Sequence, residues 1–328
     1  MHLCLQAASR GRRLLGNCLL LGLSRQFANS ALKTSMASLK NRGTIAVCQM
    51  NCKADKDANL QTCRELITVA KQKGAKMAFF PECFDFVGDN RDKTMELAET
   101  LDGHVIKTMK ALAKDNDMWL SLGGMHRKDE RADSKRLFNS HVVVDNHGDI
   151  AAVYDKTHLF DIDIKGHVRL KESDFTIPGS EIAPPIDSPV GKIGLATCYD
   201  LRFPEMSIAL ANQGAQILTY PSAFTATTGA AHWEVLLRSR AIEMQCYIVA
   251  AAQTGRHHEK RTSYGHSMVV DPWGCIVACC HEGVDVCVAD IDLEYLQKVR
   301  TDLPCWNHRR YDLYGKIQTN RSSQITDH

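Results

Sequence analysis

From Gly43 onward the chain alternates between two hydrophobic rhythms. Short, unbroken apolar runs at 44–49 and 77–80 predict buried strands. Between them Leu60, Cys63, Leu66, Ile67 and Ala70 recur at helical spacing on one face, and Gly74 ends that helix. The alternation continues with a helix over 94–113, a strand over 118–122, and strands at 140–144 and 150–154 around the turn Asp145-Asn146-His147-Gly148-Asp149. A loop rich in charge and then proline, 161–189, leads to an apolar strand that ends on Cys198. Next come a helix over 205–212, a strand over 217–220, the longest helix at 230–245 and a strand at 247–251. Strands at 267–270 and 276–278 bracket the turn Asp271-Pro272-Trp273-Gly274, and a strand at 284–291 and a short helix close the pattern near Arg300. Mixed parallel and hairpin connections covered by helices predict one layered α/β domain over 43–300, without internal repeats. The remainder, 301–328, carries Pro304, Trp306, Arg309, Arg310 and Tyr314; it is too aromatic for a solvated tail and is expected to pack at a subunit interface.

Composition narrows the class. Of 328 residues, 44% are apolar and 24% charged, as in ordinary globular proteins, and no run of eighteen apolar residues predicts a membrane span. Thirteen cysteines, an odd number without a repeating framework, fit reduced thiols in a reducing compartment. Charge is uneven: eight of the 40 Lys and Arg, and no acid, precede Asp55, which leaves 32 basic side chains against all 38 acids. A mildly acidic body offers no nucleic-acid surface. The acid-free front, with Arg10, Arg12, Arg13 and Arg25 among Leu, Ser and Ala, fits a mitochondrial presequence over 1–35. The leucines between 14 and 23 make a secretory signal the rival, against which the cysteine usage argues. Met36 lies just before the globular part, so initiation there bypasses the presequence, and mitochondrial and cytoplasmic forms are both expected.

Three chemically active side chains sit where a strand has just ended. Glu82 follows 77–81, Lys156 follows 151–155, and Cys198 follows its own strand. In open α/β sheets, ligands collect at the carboxyl ends of strands, so the three can converge. Together they make coherent chemistry. A glutamate takes the thiol proton and returns one to a leaving amine. An ammonium, with the backbone N–H after the cysteine, stabilises a tetrahedral oxyanion, and the thiolate forms a thioester that water hydrolyses. Taken singly, each has a structural reading: Glu82 as a helix cap, Lys156 as a solvated lysine and Cys198 as a buried structural thiol.

Phe80-Pro81-Glu82, Tyr154-Asp155-Lys156-Thr157-His158-Leu159-Phe160 and Cys198-Tyr199-Asp200-Leu201-Arg202-Phe203-Pro204-Glu205 resemble the three signature blocks of the carbon–nitrogen hydrolase (nitrilase) superfamily. Pro221-Ser222-Ala223-Phe224, Ala230-Ala231-His232-Trp233-Glu234 and the run Gly265 to Gly274 resemble its later blocks, so the likeness covers about 43–300. The resemblance implies a single-domain, four-layer α-β-β-α sandwich that pairs with a second copy as a homodimer or larger homo-oligomer. It implies Glu82 as base, Lys156 as oxyanion stabiliser, Cys198 as nucleophile, and a supporting Glu172 that positions Lys156 or the attacking water. It also implies a cofactor-free amidase for a small carboxylated substrate. That substrate is deaminated glutathione on the first reading, a matter of metabolite repair, and a 2-oxo-dicarboxylate monoamide on the second. Tyr199, Arg202 and Ser222 are the candidate substrate contacts, with pairing of Arg202 to Asp200 or Glu205 as the alternative.

Three rivals remain at this point. A papain-like Cys–His hydrolase lacks its flanking signature around Cys198. A metal site from Cys275, Cys279, Cys280, His281 and Cys287 has irregular spacing within apolar runs, which favours free cysteines and no metal. A non-catalytic scaffold with a relict site is opposed by the intact Glu82, Lys156 and Cys198.

Overall fold

A computed structural model describes residues 42–131, 134–164 and 168–317; the expected presequence, 1–35, lies outside them. The described residues from Gly43 on form one compact unit. Its first half runs β1 (Arg42–Gln49), α1 (Lys56–Gln72), β2 (Met77–Phe80), α2 (Arg91–Leu97), α3 (His104–Asn116), β3 (Trp119–Lys128), β4 (Leu137–Val144) and β5 (Ile150–Asp155). A small pair, β6 (Asp161–Ile164) and β7 (Val168–Lys171), precedes β8 (Ile193–Leu195), α4 (Pro204–Asn212), β9 (Ile217–Thr219) and α5 (Ala226–Met244). The rest comprises β10 (Tyr247–Ala250), the hairpin β11 (Thr254–His258) and β12 (Arg261–Tyr264), β13 (Met268–Val270), β14 (Ile276–Cys279), β15 (Asp285–Asp292), α6 (Leu293–Asp302) and α7 (Tyr311–Tyr314).

One sheet has the order β15-β1-β2-β3-β4-β5 and the other β14-β13-β10-β9-β8. Alternation along β1 shows how they stack. Ile45 and Val47 pack into one core with Ile193, Leu195, Ile217 and Ile248, whereas Ala46 and Cys48 pack into another with Leu60, Cys63, Ile67 and Met109. Successive strand side chains point to opposite faces, so the first set fills the space between the sheets and the second lies under α1 and α3. With α4 and α5 on the far face of the second sheet, the layers are α-β-β-α, the expected sandwich.

Several local expectations change. The helix foreseen over 94–113 is two helices, because the Glu99 carboxylate accepts the Val105 N–H at 2.9 Å and starts α3 afresh after Gly103. The strand foreseen at 118–122 extends to Lys128 across a register shift between Leu122 and Met125, at the pair Gly123-Gly124. The loop foreseen over 161–189 contains β6, β7 and a single 3-10 turn at Glu172–Asp174. Hairpin β11–β12 was not expected at all. In the tail, the Trp306 indole donates to the Met244 carbonyl at 3.1 Å and stacks under Arg309, so this aromatic residue packs on its own subunit; Leu313 and Tyr314 stay exposed.

Candidate active site

Glu82 leaves β2 on a sharp turn. Cys83 adopts a left-handed backbone (φ +58°) and its N–H donates to the Gly124 carbonyl at 2.7 Å. Gly124 is itself left-handed (φ +74°), and a Cβ there would come within 2.6 Å of Asn139 Oδ1 and 3.1 Å of Glu82 Cγ. The two glycines of β3 therefore let strand, turn and loop approach each other where side chains would prevent it. Lys156 follows β5 and is fixed by its backbone: its N–H donates to the Asn139 carbonyl and its carbonyl accepts from Gly179, both at 2.9 Å. Cys198 follows β8 with φ +49°, donates its N–H to the Pro221 carbonyl at 2.9 Å, and opens a 3-10 helix over Cys198–Arg202. A left-handed cysteine costs about 1–3 kcal/mol and persists where its surroundings hold it.

Those surroundings include a fully buried carboxylate, Asp200. It accepts the Thr197 N–H at 2.8 Å, the Tyr154 hydroxyl at 2.7 Å and the His158 N–H at 3.1 Å, with His158 Nδ1 at 2.7 Å. The turn bearing Cys198 is thereby tied to the segment on both sides of Lys156.

The predicted side chains meet. Lys156 Nζ, 2% exposed, lies 2.9 Å from Glu82 Oε1 and 2.9 and 3.1 Å from the two Glu172 oxygens. Asn139 Nδ2 donates to Glu82 at 2.9 Å and to Glu172 at 3.3 Å. The second Glu82 oxygen accepts the Ala223 N–H at 3.0 Å, and the second Glu172 oxygen accepts the Phe160 N–H at 2.7 Å. The Cys198 thiol, in a residue 8% exposed, lies close enough to Glu82 and Lys156 for both to act on its ionisation.

Competing effects set the protonation states. Burial alone would push Glu82 up, but Lys156, with help from the thiol, outweighs it and holds the carboxyl below its ordinary value. Burial opposes the Lys156 charge, yet Glu172 and Glu82 raise its pKa well above the usual range. Burial, then Glu82, pushes Cys198 well up. At neutral pH the resting site thus holds carboxylate, ammonium and thiol. A protonated thiol paired with an ionised acceptor is arranged to lose its proton as sulfur attacks.

The outer wall is aromatic. The Tyr199 ring meets Phe160 and Phe203 edge-on at centroid distances of 5.0 and 5.4 Å. Arg202 lies 5.8 Å over Tyr199 and 5.4 Å over Phe224, with His232 Nδ1 3.2 Å from its guanidinium. Among the described residues it forms no ion pair with Asp200 or Glu205; Asp200 is occupied as above. Ser222 departs from the expected substrate contact: it is wholly buried and its hydroxyl donates to the Tyr220 carbonyl at 3.0 Å. Reading the chain alone missed Asn139, Asp200 and Gly123-Gly124. It also missed a polar cluster beside Glu82, where His126 Nδ1 lies 3.1 Å from Asp85 and Nε2 lies 3.9 Å from the Cys83 sulfur. Among the described residues no group of three or more His, Cys, Asp and Glu is arranged to hold a metal ion.

The carbon–nitrogen hydrolase profile matches residues 44–301. Deaminated glutathione amidase of Bos taurus is 55% identical over 274 residues, covering 83% of this chain and 84% of that protein. The crystal structure of the C. elegans NitFhit protein is 51% identical with a TM-score of 0.81, covering 84% of this chain and 66% of that one. Saccharomyces cerevisiae Nit3, described as a member of branch 10 of the nitrilase superfamily, is 31% identical with a TM-score of 0.73, covering 82% of this chain and 97% of that one. Profile, relatives and fold agree: this chain belongs to the carbon–nitrogen hydrolase family.

Proposed function

We propose that the chain is a thiol amidase that cleaves deaminated glutathione into a 2-oxo acid and cysteinylglycine. The observation that carries the chemistry is the Glu82 carboxylate, 2.9 Å from the Lys156 ammonium and close enough to the Cys198 thiol to act on its ionisation. The substrate follows the relatives that bear that name, at 44–55% identity.

Cys198 sulfur attacks the amide carbonyl while its proton passes to Glu82. The oxyanion is stabilised by Lys156 and the Tyr199 N–H. Three carboxylate oxygens already surround Nζ, so one Lys156–Glu172 contact yields to the oxyanion as negative charge develops there. Collapse breaks the C–N bond, and Glu82 returns the proton to the leaving amine. Water, deprotonated by Glu82 and oriented by Glu172, then hydrolyses the thioester and regenerates the thiol.

The test is hydrolysis of deaminated glutathione, with mass detection of an acyl group on Cys198. A kcat/KM higher for a 2-oxo-dicarboxylate monoamide would move the substrate to that class, and no acylated Cys198 with any amide would remove the mechanism.

A second copy of the chain is the proposed macromolecular partner. Val235 and Ile242, seven residues apart on α5, are 64% and 50% exposed, and Ile242 lies against Gly274, the neighbour of Trp273, itself 55% exposed. We also take 1–35 as a mitochondrial presequence bypassed by initiation at Met36, on its basic, acid-free composition. Identical distributions of proteins started at Met1 and at Met36 would remove that reading.

A further inference from the structure

Hairpin β11–β12 lies against the segments that hold Glu82, and its polar stretch before Ser263 contains none of the signature blocks. The Tyr264 N–H donates to the Phe224 carbonyl at 2.9 Å and Thr225 bridges Ser263, so β12 runs beside the segment whose Ala223 N–H holds Glu82. At the hairpin's root, Gln253 Nε2 donates to the carbonyls of Glu82 and Cys83 at 3.1 Å each. The first residue of β12 is Arg261, half-buried. Among the described residues its guanidinium has no hydrogen bond, ion pair or ring partner, in contrast with Arg202. Although burial opposes its charge, Cys83, Glu82, Cys198 and Glu172 all lie close enough to favour it.

The balance of charge gives this cation a purpose. Glu82 and Glu172 against Lys156 leave the reacting centre with one net negative charge, which would repel a carboxylated substrate. Deaminated glutathione carries two carboxylates, one on the 2-oxo acyl chain and one on the glycine of the leaving group. Arg202 stands on the aromatic wall and can take one. A guanidinium that has five N–H donors and no protein acceptor, half out of water, is prepared for a planar carboxylate.

We propose that Arg261 is a second carboxylate anchor of this site and sets its preference for doubly anionic amides. The proposal rests on the amidase reading above and extends it.

Arg261→Gln and Arg261→Lys would be compared with the unaltered protein on three amides. These are deaminated glutathione, its glycine carboxamide, and 4-oxopentanoyl-cysteinylglycine, which lacks the acyl-side carboxylate. A charged hydrogen-bond partner lost from a desolvated site costs about 2–5 kcal/mol, or roughly 30-fold and more in kcat/KM. The expected result is a loss of that size for Arg261→Gln on deaminated glutathione, chiefly in KM, with partial recovery in Arg261→Lys. On one of the two analogues the loss falls below about 3-fold, which identifies the carboxylate that Arg261 holds. Equal losses on all three amides would overturn the proposal.

A second measurement does not depend on the substrate. Alkylation of Cys198 by iodoacetate relative to iodoacetamide, mapped by mass spectrometry, cancels general changes in fold and thiol reactivity. That ratio should drop about 10-fold in Arg261→Gln, and an unchanged ratio would overturn the anchor. If no amide is hydrolysed, the amidase reading fails while the alkylation ratio still decides for or against Arg261.

Discussion

The Tyr154 hydroxyl donates to the Asp200 carboxylate at 2.7 Å, joining the strand that delivers Lys156 to the turn that carries Cys198. Asp200 is fully buried and takes three further donors at 3.1 Å or less, so it is a positioning residue for both halves of the site. Asp200→Asn keeps the shape and loses acceptor capacity for charge. We expect destabilisation of about 3 kcal/mol or more in denaturant unfolding, because several buried donors lose an ionised partner. Tyr154→Phe removes one hydrogen bond and should cost only about 1–1.5 kcal/mol. Equal costs for the two would contradict a hub at Asp200.

Glu82 and Glu172 both touch Lys156, but Glu82 is the carboxylate that acts on the thiol's proton. Glu82→Gln should abolish acylation, with a rate loss on the order of 10³-fold and no thioester seen by mass spectrometry. Glu172→Gln should still acylate Cys198 and then stall, so the thioester accumulates. Cys198→Ala should remove turnover with an unchanged melting temperature.

Gly124 combines a left-handed backbone with contact distances that leave no room for a methyl group between Asn139 and Glu82. Gly124→Ala should therefore displace Glu82 and destabilise the protein by about 2 kcal/mol or more. Gly74 has a similar positive φ and nothing within 4 Å, and alanine there should cost only the backbone strain. The difference between the two melting temperatures isolates the crowding at the site.

His126 supplies a pH dependence. Burial alone would lower its pKa, but Asp85, with help from Cys83, raises it to about 10. An unfolded histidine titrates near ~6.5, so this imidazolium stabilises the fold fully below that pH, and the contribution is lost as pH rises through about 10. Urea midpoints measured at rising pH should fall across that window. They should fall less in His126→Asn, and a parallel decline would remove His126 as the cause.

Val235 and Ile242 define the surface proposed to meet a second copy. Val235→Glu places a charge in that contact. It should shift the mass measured by light scattering to that of the single chain while the circular dichroism of the subunit is kept. An unchanged mass would place any interface elsewhere.

Glu82, Lys156 and Cys198 were legible in the chain because each is a reactive side chain directly after a short apolar strand, and such strands end on one edge of a sheet. Glu172 has no such marker; it lies on a single 3-10 turn and was reached only through family resemblance. Asn139 and Asp200 are isolated polar residues in a strand and a turn, and neither periodicity nor spacing separates them from surface positions. Hairpin β11–β12 was invisible for a related reason. Arg256 to Arg261 reads Arg-His-His-Glu-Lys-Arg, all polar, and its placement comes from pairing with Thr225 and Phe224 rather than from an apolar face. The split between α2 and α3 depended on one side chain, Glu99, capping from outside the helix.

Glu82 and Lys156 come from the first sheet, while Cys198 and the Ala223 N–H come from the second. The reacting centre is a seam stitched from two sheets that meet through the core between them and through the hydrogen bonds of Asp200, Ala223 and Gln253. Catalysis therefore works as a gauge of closure. A fragment holding either sheet alone has no competent centre, and a slippage of one layer against the other would silence the enzyme before either sheet lost a strand.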